Sequence, residues 1–187
     1  MNTDSKNAID MVLAESFKEL AVTKAIEKIT IKEITDKAGV IRPTFYNHFQ
    51  DKYELLEWIV KTELVEPAGN LIRSGMLKEG LTVGLKELHK SKKFYAAAVR
   101  LEGQNSFYEV LQQNIGNMFR LILGDNDIEL PYQWLTVDRL IDVYAQSLSY
   151  VVTEWIKDDM NVPEEELVDS VLYVISHSSV DMFKDIM

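Results

Sequence analysis

The most concentrated chemistry in this chain lies in GVIRPTFYNHF, positions 39 to 49. Arg42 carries a guanidinium, Thr44 and Tyr46 carry hydroxyls, Asn47 an amide and His48 an imidazole, and the ammonium of Lys52 follows just beyond. These groups donate to phosphate oxygens and donate to or accept from base edges, and the ring of Pro43 offers apolar contact.

The charge around this stretch differs from that of the rest. Residues 24 to 52 hold six cations (Lys24, Lys28, Lys32, Lys37, Arg42, Lys52) against four anions (Glu27, Glu33, Asp36, Asp51), a balance of +2. Residues 59 to 187 hold 12 basic and 20 acidic residues, or −8, within a chain whose net charge is −10. Affinity for a phosphate backbone comes mostly from Lys and Arg. Contact with nucleic acid is therefore expected only in the N-terminal third.

Other chemistries find little support. With no cysteine and with His48, His89 and His177 far apart in sequence, neither a metal site nor a cofactor is expected. No carboxylate pair joins a histidine or nucleophile in a catalytic constellation, and there is no glycine-rich phosphate loop, so an enzyme is not expected. No basic, apolar leader opens the chain and no apolar run approaches the roughly 20 residues needed to span a bilayer. The expectation is a cytoplasmic protein with no membrane partner.

With four prolines, eight glycines and no alternating strand pattern, the chain reads as all-α. Residues 7 to 25 place Ala8, Ile9, Val12, Leu13, Phe17, Leu20 and Ala21 at helical spacing. Thr30 opens T-x-x-E with Glu33, a capping box, and Ile31, Ile34 and Ala38 share one face before Gly39 ends the helix. Phe45 and Phe49, four apart, turn inward on a second short helix, which predicts Arg42, Pro43, Thr44, Tyr46, Asn47 and His48 on its outer side. Asp51 caps the next helix, with Leu55, Leu56, Ile59 and Val60 as its buried stripe. Lys52 opposes the dipole in the first turn of that helix, and an external phosphate would make the placement favourable. Short helix, glycine turn and short helix with a polar outer face are the geometry of a helix-turn-helix, whose second helix enters the major groove of double-stranded DNA.

ITIKEITDKAGVIRPTFYNHFQDKYELL, within residues 7 to 60, resembles the DNA-binding segment of the TetR family of bacterial regulators. The resemblance implies that Thr30, Tyr46, His48 and Lys52 contact phosphates and that Arg42, Pro43 and Thr44 fall where base contacts are made. Lys32 and Asn47 complete the expected DNA-facing set. Ile41 stands where the family commonly has Ser or Thr as N-cap, and Pro43 compensates in part by fixing φ. Farther on, KSKKFYAAAVRLEGQNSFYEVLQQNIGNMFRLILGD, LLEW and VPEEELVDSVL are similar to the branch that includes regulators of dihydroxyacetone kinase operons.

The organisation that follows is a three-helix helix-turn-helix domain over residues 1–53 and a helical effector-binding and dimerisation domain over residues 54–187. Phe94, Tyr95, Phe107, Tyr108, Met118, Trp134 and Tyr144 are candidates to line an effector pocket, although aromatics at helical spacing more often belong to a core. Residues 134 to 157 and 164 to 185 carry apolar stripes wide enough to pack on their own domain and on a second copy. Leu148, Val152, Trp155, Leu167, Val171, Leu172 and Ile175 are the candidates for that interface. In the family the last helices form a four-helix dimer interface. The expected function is a homodimeric DNA-binding regulator, a repressor, on a palindromic operator, with affinity altered by a small-molecule or protein effector. Two alternatives stay open: an activator or co-regulator controlled by a protein partner, and an interaction module without DNA binding.

Overall fold

The computed structural model describes residues 3–103, 105–123 and 128–177, with side chains from residue 8 onward. Among the described residues there are helices and no strand. Helix α1 (Thr3–Ala21) buries Leu13, Ala14, Phe17 and Ala21, a 3-10 turn covers Ile26–Lys28, and α2 (Ile31–Ala38) follows. At the start of α2 the Thr30 hydroxyl accepts from the Glu33 amide at 3.3 Å, and the Glu33 carboxylate accepts from the Thr30 amide at 2.9 Å. Gly39 ends it at φ +69°, a left-handed conformation that penalises any side chain. Helix α3 (Arg42–Tyr46) is five residues long, and its Phe45 packs on Phe49 with ring centroids 5.8 Å apart.

Helix α4 (Lys52–Ile59) starts where the Asp51 carboxylate accepts from the amides of Tyr53 and Glu54 at 2.7 and 3.0 Å. It runs without a break into a π turn (Val60–Val65) and then α5 (Glu66–Arg73). In the π turn the Glu66 amide donates to Lys61 O, five residues back rather than four. Pro67 lies next; it has no amide hydrogen and its ring crowds the carbonyl four residues earlier, and the wider turn upstream relieves that crowding. The boundary expected between residues 53 and 54 falls inside α4, whose Leu55, Leu56 and Ile59 are fully buried.

The remaining helices are α6 (Leu77–Lys90), α7 (Lys92–Ala98), α8 (Phe107–Leu123), α9 (Val137–Lys157) and α10 (Glu164–Ser176). Helix α6 packs on α5 and α10, and α8 on α9. A Cβ on Gly80 would fall 2.8 Å from Ala68 O, so only glycine lets α6 lie this close to α5. One core runs through both halves, joined where Phe17 of α1 meets Phe94 of α7 edge-on at 5.9 Å. The Lys18 ammonium bridges Glu15 at 2.6 Å and Glu63 of the π turn at 2.7 Å. Burial alone would lower the Lys18 pKa, and the two carboxylates outweigh burial and raise it. Helix α9 begins at Val137, after its Thr136 cap, rather than at 134; the part of the last expected helix over 178–185 lies outside the described residues.

Candidate nucleic-acid interface

The outer side of α3 is open. Phe45 and Phe49 anchor the segment in the core, which leaves Arg42, Pro43 and Asn47 exposed, Thr44 half-buried and Tyr46 57% exposed. Arg42 has no hydrogen-bond or ion-pair partner among the described residues, so its guanidinium is free to meet an external acceptor. Ile41 caps α3 with no side-chain hydrogen bond, and Pro43 sits in the first turn with its fixed φ. On α2, Thr30 is exposed beside its capping partner and Lys32 is exposed but paired with Asp36. Glu33 is held at a pKa of about 2 by Lys24 first, at 2.6 Å, and then by the Thr30 amide and hydroxyl. That acid stays ionised and keeps the start of α2 rigid.

Two of the expected contacts are placed differently. The His48 side chain is only 1% exposed; its Nδ1 lies 2.6 Å from the buried Asp10 carboxylate of α1, and its Nε2 is buried without a partner. Helix α3 ends at Tyr46, so His48 lies in the turn beyond it, where helical spacing no longer sets its direction. Lys52 also turns back into the fold: its ammonium donates to Glu27 O at 2.7 Å and Ile29 O at 2.9 Å. Burial, and then nearby Lys24, lower its pKa against the pull of Glu27, Asp51 and Glu33. Lys52 therefore fastens the turn before α2 to the start of α4, and His48 fastens α3 to α1. Both hold the reading helix in place from behind.

The pocket candidates separate in the same way. Phe94, Tyr95 and Phe107 are core residues, fully buried and stacked edge to edge, because their rings point between helices into the hub where α1, α7 and α8 meet. Trp134 is 69% exposed, with the Arg139 guanidinium 4.7 Å from its ring centroid, and Tyr108 reaches only Gln146 O. A cavity of about 80 Å³ lies elsewhere, between the π turn and helices α5, α6 and α8 to α10. Its walls are aliphatic, Leu64, Leu85, Leu111, Ile115 and Val168 among them, and of the candidates named from sequence for a pocket only Met118 lines it. Tyr144 borders a second, shallow groove between α9 and α10, with Val174 and Ile175 on its other side. Of the interface candidates, Trp155 is buried within its own chain, its indole donating to Val162 O at 2.8 Å. Leu148, Val152, Leu167 and Leu172 are half-buried against the core, Val171 lines the groove, and Ile175 is exposed.

Comparison with known proteins identifies the whole arrangement. Residues 18–59 match the family model for bacterial regulatory proteins of the tetR family, and residues 76–177 match a model described as a transcriptional regulator C-terminal region of the same family. The chain belongs to the TetR family of transcriptional regulators. Members of the TetR family are DNA-binding regulators that bind operators and usually act as dimers. The HTH-type dhaKLM operon transcriptional activator DhaS of Lactococcus lactis is 24% identical over 128 residues, 68% of this chain and 67% of that protein. An HTH-type transcriptional regulator of Haemophilus influenzae is 26% identical over 139 residues, 72% of this chain and 60% of that one. Among solved structures, DhaS superposes with a TM-score of 0.63 at 23% identity, over 89% of this chain and 93% of that one. NalD, the secondary repressor of the MexAB-OprM multidrug efflux pump in Pseudomonas aeruginosa, superposes with a TM-score of 0.59 at 14% identity, over 90% and 94%. At these identities the likeness is one of fold: a TetR-type head on a helical body.

Within this TetR-type head, sequence reasoning passed over Asp10, the partner that turns His48 inward. The signal was present: Asp10, Leu13, Ala14 and Phe17 follow i, i+3, i+4, i+7 spacing, which puts a carboxylate on the buried face of α1. A buried carboxylate requires a partner.

Proposed function

We propose that the chain is a homodimeric operator-binding regulator in which α3 enters the major groove, Arg42 and Thr44 read bases, and Thr30, Tyr46 and Asn47 fix position on the backbone. The observation that carries this reading is the unpaired Arg42 beside Tyr46 on the outer side of a helix anchored by Phe45 and Phe49. Lys32, held by Asp36, exchanges that partner for a phosphate on binding. His48 and Lys52 support α3 and the turn before α2 and do not touch DNA. Exposed Val143, Tyr144, Tyr150, Val174 and Ile175 on α9 and α10 support a second copy as the partner of that face, and a two-fold dimer requires a palindromic operator.

The test is operator binding by variants on fragments selected from the source genome. Arg42→Ala should cost about 1–3 kcal/mol and relax preference at one base pair. Lys52→Met should weaken binding to all duplexes while leaving the salt slope unchanged, because no phosphate contact is lost. A fall of one unit in that slope would return Lys52 to the phosphate-contacting set. Sedimentation of a monomer at micromolar concentration would remove the dimer.

The effector reading rests on the cavity beside the π turn. An aliphatic hole of about 80 Å³ suits a small apolar molecule, whose binding shifts operator affinity by its differential affinity for the two head positions. Occupancy is read by operator affinity across a series of small uncharged hydrocarbons and alcohols. We infer repression by operator occlusion. Activation is the second reading, favoured by the likeness to an activator, and transcription in vitro from a selected operator decides between them.

A further inference from the structure

We infer that a cleft between head and body binds phosphate through Lys93 and Arg100. In the body nearly every described cation is engaged: Lys61, Lys78, Lys86, Lys90, Lys92, Arg120 and Lys157 with carboxylates, Arg73 with Asn70, and Arg139 with the Trp134 carbonyl. Lys93 and Arg100 alone have no partner among the described residues, although the body carries an excess of carboxylates. Both line the same cleft of about 400 Å³, whose opposite wall is the turn between α1 and α2. Lys24 and Glu27 stand on that wall, Lys24 already tied to Glu33. The floor is cut by Ala96 and Ala97, whose short side chains leave room for a ligand between the walls.

Two cations left free on one rim in an acidic protein repel each other and gain from an external dianion. The site is mixed in lining, polar at the rim and apolar at the floor, and so suits a phosphate group carried on a larger body. Two sources carry this chemistry. One is a phosphorylated small molecule, whose binding would set the angle between head and body. The other is the DNA backbone outside the half-site read by α3, because Lys28, adjacent to the cleft wall, is likewise unpaired among the described residues. The inference does not depend on which bases Arg42 reads.

The experiment compares the full chain with the Lys93→Ala/Arg100→Ala double variant, both side chains being exposed and free of structural contacts. One arm titrates inorganic phosphate and pyrophosphate calorimetrically at low ionic strength, with chloride as control. A second arm measures the salt dependence of binding to a selected operator, trimmed to its half-sites or extended by flanking duplex. Saturable phosphate binding that weakens at least tenfold in the variant assigns the cleft to a small ligand. A salt slope that falls by about two units on the extended duplex only, at about 0.9 per phosphate, assigns it to flanking DNA. Unchanged behaviour in both arms overturns the inference. Failure of the operator reading would look different: the full chain itself would prefer no duplex.

Discussion

The head and the body solve the burial problem differently. In the head, Leu13, Phe17, Ile34, Phe45 and Leu55 are closed off completely, α2 and α4 have side-chain N-caps, and long-range ties from Asp10 and Lys52 lock α3 and the turn before α2. In the body, Val65, Leu85, Val110 and Ile115 keep some exposure around an unfilled aliphatic cavity, and α9 and α10 leave an apolar face open. A reader of base edges needs side chains held to fractions of an ångström, whereas a responder needs packing that can be rearranged at low cost. Free cations follow the same division: Arg42 and Lys28 in the head, and Lys93 and Arg100 where the body faces it.

The comparison breaks most visibly at Phe45. Truncation to Ala should cost about 3–5 kcal/mol and abolish operator binding, measured by urea unfolding and anisotropy, because the filled head cannot collapse onto the hole. If the loss were under 1 kcal/mol, the head would be as yielding as the body. Tyr95 sharpens the contrast from the other side. Its buried hydroxyl has no hydrogen-bond partner among the described residues, and burial first, then Glu63, Glu87 and Glu15, push its pKa well above the usual value. Tyr95→Phe removes an unsatisfied polar group and should raise stability by about 1–3 kcal/mol in the same unfolding assay.

Smaller changes test packing room. A Cβ on Gly84 would meet nothing nearer than Leu64 O at 3.7 Å, so Gly84→Ala in α6 should stabilise by about 0.5–1 kcal/mol through helix propensity. Gly80→Ala on the same helix should destabilise, since its Cβ would meet Ala68 O at 2.8 Å. Equal effects at the two sites would mean that the α5–α6 approach is not tight. The smallest effect is at Glu33. Its carboxyl is depressed to about 2 in the fold, so its stabilising contribution is complete above the ordinary carboxylate range and disappears as pH falls toward 2. The stability difference between wild type and Glu33→Gln should therefore be widest near neutrality and vanish at the acid end, followed by denaturation across that range.

The helix-turn-helix was legible because its signals are local. A capping box, a glycine at positive φ and two phenylalanines four apart each act within one or two turns. His48 and Lys52 were not, because their partners, Asp10 and the carbonyls of Glu27 and Ile29, are supplied 23 to 38 residues away by tertiary packing. The cavity was illegible for another reason. Aliphatic residues at helical spacing look alike whether the space beside them is filled or empty, so Leu64 and Leu111 carried no mark that Leu55 lacked. Aromatic bulk pointed the wrong way, toward rings such as Phe94 and Phe107 that fill the core.

The two family models leave residues 60 to 75 between them, and there the π turn lies. Each residue of an α-helix advances the azimuth by about 100°, and a π turn spends one residue more on a revolution. Val60–Val65 therefore works as a phase plate: it sets the heading at which everything after it leaves the axis of α4. A codon lost from this segment would not merely shorten the protein. It would restore a regular helix and swing Pro67, Gly69 and the rest of α5 by about a quarter of a circle away from their seats, so that this stretch can change letters over generations far more readily than it can change length.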